Sequence, residues 1–165
     1  MSLADAVARE ADWLLTSGDG LPALAQADGG PFEVVQAYLP RTPGMRQTAL
    51  YVIRRQFPTK RFGQQRRLAT HHFQLRCRWP IGATTIGTQL AEIEQQAFDN
   101  ALLLVVQRIE GFVGDKSHGG RFMSVAEAPN GAEILVQYGD PEQDIPNGCL
   151  TATLTYTADD QDYTE

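Results

Sequence analysis

The sequence predicts an α+β fold: a largely antiparallel sheet packed on one long central helix, with elements in the order α-β-β-β-α-β-β-β. Three observations lead there. The stretch Thr88 to Gly111 keeps apolar residues at helical spacing throughout. The runs on either side are short, rich in β-branched and aromatic residues, and separated by proline, glycine and Asn-Gly signals. At 165 residues the chain has the length of one domain that can bury a core without staples. Within it, residues 1–30 read as a helical leader, 31–157 as the α+β core and 158–165 as an acidic tail.

Leu3 to Leu15 is amphipathic, with Leu3, Val7, Ala11, Leu14 and Leu15 on one side of a short helix that the following Ser-Gly-Asp-Gly breaks. Phe32 to Leu39 is the first strand, stopped by Pro40 and Pro43-Gly44. Thr48 to Arg54 is the second, followed by the loop QFPTKRFGQQ with paired arginines at each end. His71 to Ile81 is the third and clearest strand. His71, Phe73, Leu75, Cys77 and Trp79 alternate with His72, Gln74, Arg76 and Arg78, so one face is core and the other is wet or set against something acidic. Pairing the second and third strands makes a long hairpin with a basic tip.

In the central helix, Leu90, Ile93, Ala97, Ala101 and Leu104 form one apolar column, and Phe98, Leu102, Val105 and Ile109 form the next. Thr88 is the N-cap candidate, and Gly111 supplies a left-handed residue at the end. Glu92 and Glu94 stand near the positive end of the dipole and Arg108 near the negative end. The run ALLLVV is apolar nearly all round, so more than one surface is expected to cover it. Phe122–Glu127, Ala132–Tyr138 and Cys149–Tyr156 complete the strands. Asn130-Gly131 is the tight turn expected between the first two, and an acidic loop from Asp140 to Gly148 precedes the last. The tail beyond Ala158 reads as frayed or held by a partner.

Hydrophobic residues make up 42% and charged residues 21%, an ordinary globular composition that argues against global disorder. The longest apolar run falls far short of the ~20 residues of a membrane span. The first residues carry acids and lack a basic segment leading into an apolar one, so no export signal is expected there. Cys77 and Cys149 then read as buried free thiols in a soluble protein kept in a cytoplasm-like compartment.

Catalytic arrangements fail on geometry. His71 and His72, adjacent on a strand, point to opposite faces and cannot chelate one metal. Cys77 shares the face of His71 but lies about 20 Å along the strand. Asp115, Ser117 and His118 sit in one glycine-rich loop, whereas triad members converge from separate elements. His118 reads there as part of a solvated turn. No phosphate loop or dinucleotide fingerprint occurs. The reading is no enzyme, no catalytic residues, no metal and no cofactor.

Charge is the informative property. Between Glu33 and Glu92 there is no acidic residue, and those 58 positions hold ten Arg or Lys. From Ala83 onward, three basic residues face fourteen acidic ones. Such segregation speaks to partners rather than fold. The candidate surface is the basic hairpin: Arg54, Arg55, Lys60, Arg61, Arg66 and Arg67, interleaved with Phe57 and Phe62. Its acidic counterpart is Asp140, Glu142, Asp144, Asp159, Asp160 and Asp162. The hairpin admits three readings: phosphate neutralisation with base stacking, a solvated loop with its phenylalanines folded back, or contact with an acidic neighbour in an assembly.

The layout of an N-terminal helix, a strand, the long hairpin TALYVIRRQFPTKRFGQQRRLATHHFQLRCRWPI, one long helix and closing strands resembles the tail terminator proteins of long-tailed bacteriophages. These are also called tail completion or minor tail protein U-like proteins, and the resemblance runs from about Phe32 to Tyr156. It implies a non-enzymatic virion component, assembled in the host cytoplasm and located in the tail or neck. There a hexameric ring caps the tail tube and joins it to the head. The implied partners are further copies of the chain, the tube protein, the head-neck connector proteins and DNA passing through the lumen, with no membrane. A ring needs a head-to-tail interface between unlike surfaces, which a basic half and an acidic half would supply. Two alternatives stay open: another neck protein (head-completion or connector), and a small α+β nucleic-acid-binding module that uses the hairpin.

Overall fold

The computed structural model describes residues 3–16, 18, 20–42, 44, 46–82, 89–112, 114–127 and 134–163. The fold is α+β. Its elements are α1 (Ala6–Leu15), β1 (Val34–Ala37), β2 (Ala49–Gln56), β3 (Thr59–Arg61), β4 (Arg66–Pro80), α2 (Gln89–Glu110), β5 (Ser124–Val125), β6 (Leu135–Tyr138), α3 (Pro141–Asn147) and β7 (Cys149–Tyr163). The expected N-cap Thr88 and turn Asn130-Gly131 lie outside the described residues.

One sheet runs β1-β2-β4-β7-β5, with β3 added to β4 and β6 to β7. Its spine is β4, which pairs with β2 on one side and along its whole length with β7 on the other. The sheet is mixed rather than wholly antiparallel. The connection 38–48 returns the chain to the end where β1 began, so β1 and β2 run parallel from Val34 opposite Ala49. Among the described residues β5 and β6 do not pair with each other: both pair with β7, β5 at Ala158 and Asp159 and β6 from Ala152 to Thr155, along one edge.

As far as Tyr163 the tail is not frayed: β7 continues to that residue, paired with β4. The acidic loop is in fact α3. The Asp140 carboxylate accepts from the Glu142 amide, Pro141 occupies the first turn, and Gly148 closes the helix at φ +75°.

Both α1 and α2 lie on one face of the sheet, so α2 is not the sole helical layer. Ala6, Val7, Ala11, Trp13 and Leu14 of α1 and Phe98, Ala101, Leu102, Val105 and Ile109 of α2 pack against the inner residues of β2, β4 and β7. The first helix is therefore part of the core rather than a leader to it. Each buried Leu or Phe there contributes about 1.5–3 kcal/mol. Alternation on β4 follows the expected parity, His71 to Trp79 inward and His72 to Arg78 outward. In α2 the column Phe98–Leu102–Val105–Ile109 is buried, whereas Ala97 and Leu104 are half-buried and Ile93 is exposed. Nothing covers the far side of ALLLVV among the described residues, and Leu103 is 55% exposed. Both thiols are free. Cys77 is buried, which pushes its pKa up, and Cys149 is half-buried.

Candidate functional site

The basic hairpin is built by β2 and β4, and a bulge between Arg54 and Gln56 bends it before Phe57-Pro58 leads into β3. Beyond the bulge its side chains separate into two groups. Arg54 turns inward: its Nη1 donates to the Leu3 carbonyl at 2.8 Å, and its guanidinium lies over Phe57 at 3.9 Å from the ring centroid. Arg54 therefore ties the hairpin to the N-terminus rather than lining an outer surface. Arg55, Lys60, Arg61 and Arg67 are exposed and make no ion pair among the described residues. Arg66 is half-buried over Phe62, and its Nε has no hydrogen-bond partner among the described residues. Tyr163 stands opposite Arg66 across the β4–β7 ladder and is exposed, so the tip carries two aromatic rings, Phe62 and Tyr163, among four free cations. Sequence reasoning missed Tyr163 because Asp160 interrupts the apolar alternation that would have extended β7.

The acidic set divides in the same way. Asp140 caps α3, and Asp144 accepts from the Thr151 amide and hydroxyl at 3.1 and 2.9 Å. Asp159 accepts from Thr70 at 2.8 Å and Ser124 at 3.3 Å. Glu142 is exposed, and Asp162 is half-buried opposite Arg67. Asp160 is no interface residue, being 3% exposed. It is the centre of a buried cluster: Arg9 Nη2 donates to it at 2.6 Å, and His71 Nε2 lies at 3.0 Å. Arg54 Nη1 lies 3.4 Å from His71 Nδ1, and because a guanidinium only donates, Nδ1 is the acceptor and the His71 proton sits on Nε2, facing Asp160. Burial by itself would raise the Asp160 pKa. Hydrogen bonds from His71 and Arg9, with the charge on Arg9, outweigh it and hold the carboxyl below its usual value.

A second buried cluster lies one residue along α1. Glu10 meets His118 Nδ1 at 2.9 Å and accepts from the Tyr156 hydroxyl at 2.5 Å. His118 Nε2 lies 2.6 Å from the Ile109 carbonyl, which only accepts, so Nε2 is the donor there and Nδ1 faces Glu10. Burial raises the Tyr156 pKa first, and the neighbouring Glu10 charge adds to it, so the phenol stays a donor. The expected solvated turn is thus a plug. His118 is fully buried at φ +53° and stacks on Trp13 at 4.7 Å. Arg108 does not serve the end of its own helix. It is buried and donates to the carbonyls of Trp13 and Thr16 at the end of α1, while Trp13 Nε1 donates back to the Arg108 carbonyl at 3.0 Å.

These polar clusters have the composition of catalytic sites but not their access, since His118 and Glu10 expose no surface. They fasten α1 to the sheet and to the 112–122 loop. Among the described residues, no group of three His, Cys, Asp or Glu side chains is placed to hold a metal ion, and no helix is long and apolar enough to cross a membrane. A groove of about 440 Å³ lies beside the hairpin, bordered by Pro58, Lys60, Leu68, Thr70, Met123 and Asp159, and the Thr70 hydroxyl at its wall donates to Asp159. Among the described residues, the surface presents cations without an ion pair on the hairpin and sheet, and carboxylates on α2 and α3. In comparisons with known proteins, no family model and no curated protein matches the chain.

Proposed function

We propose that this protein is a structural virion component, a tail terminator whose ring caps the tail tube and joins it to the head or neck. The observation that carries the reading is the segregation of unpaired charge on the folded surface. Arg55, Lys60, Arg61 and Arg67 stand free on the hairpin, while the exposed charges of α2 (Glu92, Asp99 and Glu110) are all acidic. Unlike surfaces of opposite sign on one chain favour head-to-tail contact, which closes into rings when the rotation per copy allows. The mostly antiparallel sheet with a long helix along one face agrees with the layout of tail terminators. On this reading the protein acts by shape and interface, without catalysis or cofactor. Its partners are its own copies, the tube protein, the head-neck connector proteins and the DNA in the lumen. It belongs to the virion and is assembled in host cytoplasm.

Light scattering over protein concentration and salt, with negative-stain images of the same samples, tests the proposal. The expected result is a closed ring with a central hole that dissociates at high salt. A monomer that neither closes into a ring nor limits the length of added tail tubes would overturn it. One observation favours a second reading, a nucleic-acid-binding module: Phe62 and Tyr163 stand among the free cations of the tip, where bases could stack. Duplex or single-stranded DNA retained by the parent, with a steep salt slope, and lost on reversing Arg55, Lys60, Arg61 and Arg67 would select that reading.

A further inference from the structure

The outer face of the sheet carries neither α1 nor α2. Across it run Ile53 of β2, with Tyr51 buried beside it, then His72, Gln74, Arg76 and Arg78 of β4, the alternate threonines Thr151, Thr153, Thr155 and Thr157 of β7, and Leu135 and Gln137 of β6. Strands β1, β2 and β4 contain no acidic residue. Arg76 donates only to the neutral Gln74, and neither Arg76 nor Arg78 has an ion-pair partner among the described residues. At the margins, Asp144 accepts from Thr151, and Asp159, next on the outer row of β7, accepts from Thr70 and Ser124.

The outer stripe of α2 has the opposite character. Its exposed residues are Glu92, Ile93, Gln96, Asp99, Asn100, Leu103, Gln107 and Glu110: three carboxylates, three amides, two aliphatics and no cation. Ile93 and Leu103 are each more than half exposed. Their separation is about 15 Å along the helix at 1.5 Å per residue. On the sheet, Ile53, Gln74, Thr155 and Leu135 lie in one row across four strands. Three strand spacings put Ile53 and Leu135 about 14 Å apart. The apolar pairs therefore match in spacing, and Arg76 lies two residues along β4 from the row, as Asp99, which accepts from the Tyr138 hydroxyl, lies between Ile93 and Leu103 on the stripe.

We propose that the outer sheet face of one copy receives the outer stripe of α2 from a second copy, so that each sheet is sandwiched between its own helices and a neighbour's. This rests on the assembly reading above and names the two surfaces it would use. Because the surfaces differ, the contact is heterologous and propagates around a ring. It also gives Ile93 and Leu103 a cover that the described residues of the single chain do not provide.

Sedimentation velocity at low salt tests this with two variants: Arg76→Glu with Arg78→Glu on the sheet, and Glu92→Lys with Glu110→Lys on α2. Each variant alone is expected to lose the assembled species at concentrations where the parent is assembled, because like charges then meet at every contact. An equimolar mixture is expected to recover it, since each reversed surface now faces a complementary one. Recovery is a readout that simple misfolding cannot produce. A parent that assembles while both variants assemble equally well, or variants that lose assembly without recovery on mixing, would overturn the inference and leave the ring reading standing. A parent that remains monomeric at low salt counts against this pairing and, if it also fails on tail tubes, against the ring reading as well.

Discussion

Replacing Asp160 by asparagine removes one buried charge from a site that three elements share. The side chain is 3% exposed, with Arg9 at 2.6 Å and His71 at 3.0 Å. Taking away one member of such a pair leaves a desolvated guanidinium, which typically costs about 3–5 kcal/mol. Arg9 keeps some compensation here. It also pairs with Asp5 at 2.8 Å, donates to the Arg121 carbonyl and lies over the Phe122 ring. The lower end, about 3 kcal/mol, is therefore expected in urea unfolding at neutral pH, or a drop of about 9 °C in Tm for a chain of this size. The pH dependence gives a second constraint. A carboxyl whose folded pKa lies below its unfolded value stabilises fully above the unfolded value of about 3.9, and loses that contribution as pH falls through the folded one. The gap between the parent and Asp160→Asn should thus be widest at neutral pH and shrink below about pH 4. Asp162→Asn, at a half-buried position without an ion-pair partner among the described residues, should stay within about 0.5 kcal/mol of the parent. A gap under about 1 kcal/mol at neutral pH, or one that persists unchanged into acid, would refute the assignment of Asp160 as a buried ion-pair centre.

Four further outcomes follow from the structure. Glu10→Gln should destabilise by about 3 kcal/mol in chemical denaturation, because the His118 and Tyr156 donors lose a buried carboxylate. Gly30→Ala should cost about 3 kcal/mol, since a Cβ there would stand 2.3 Å from the Leu24 carbonyl carbon, a backbone atom that cannot rotate aside. A loss below about 0.5 kcal/mol would show that the 24–32 segment packs otherwise. Reversing Arg55, Lys60, Arg61 and Arg67 together should leave thermal stability within a few degrees of the parent, because the residues are exposed and unpaired. The separate replacement Arg54→Ala should lower it by about 2–6 °C through the lost bond to Leu3.

Periodicity carried the parts of this molecule whose cause is local. The two-residue alternation from His71 to Trp79 already separates a buried face from an open one, because successive Cβ atoms on a strand point in opposite directions wherever the strand is placed. The stretch from Gln89 to Glu110 is helical for an equally local reason, its spacing and the glycine that follows. Segregation of charge along the chain was likewise plain to read. What tertiary structure alone decided is who meets whom. Glu10 and Asp160 look like surface residues in sequence, and His118 looks like a loop residue, since a buried polar group is recognisable only once its partner is known. Those partners lie 108 and 146 residues away for Glu10, and 89 and 151 for Asp160. The same long-range pairing turned an acidic tail into the outer half of β7, drew Arg54 away from the hairpin surface and brought the first helix into the core. Burying a charge is too costly to occur without its counterpart, so these positions follow from the assembled fold and not from any window of the chain.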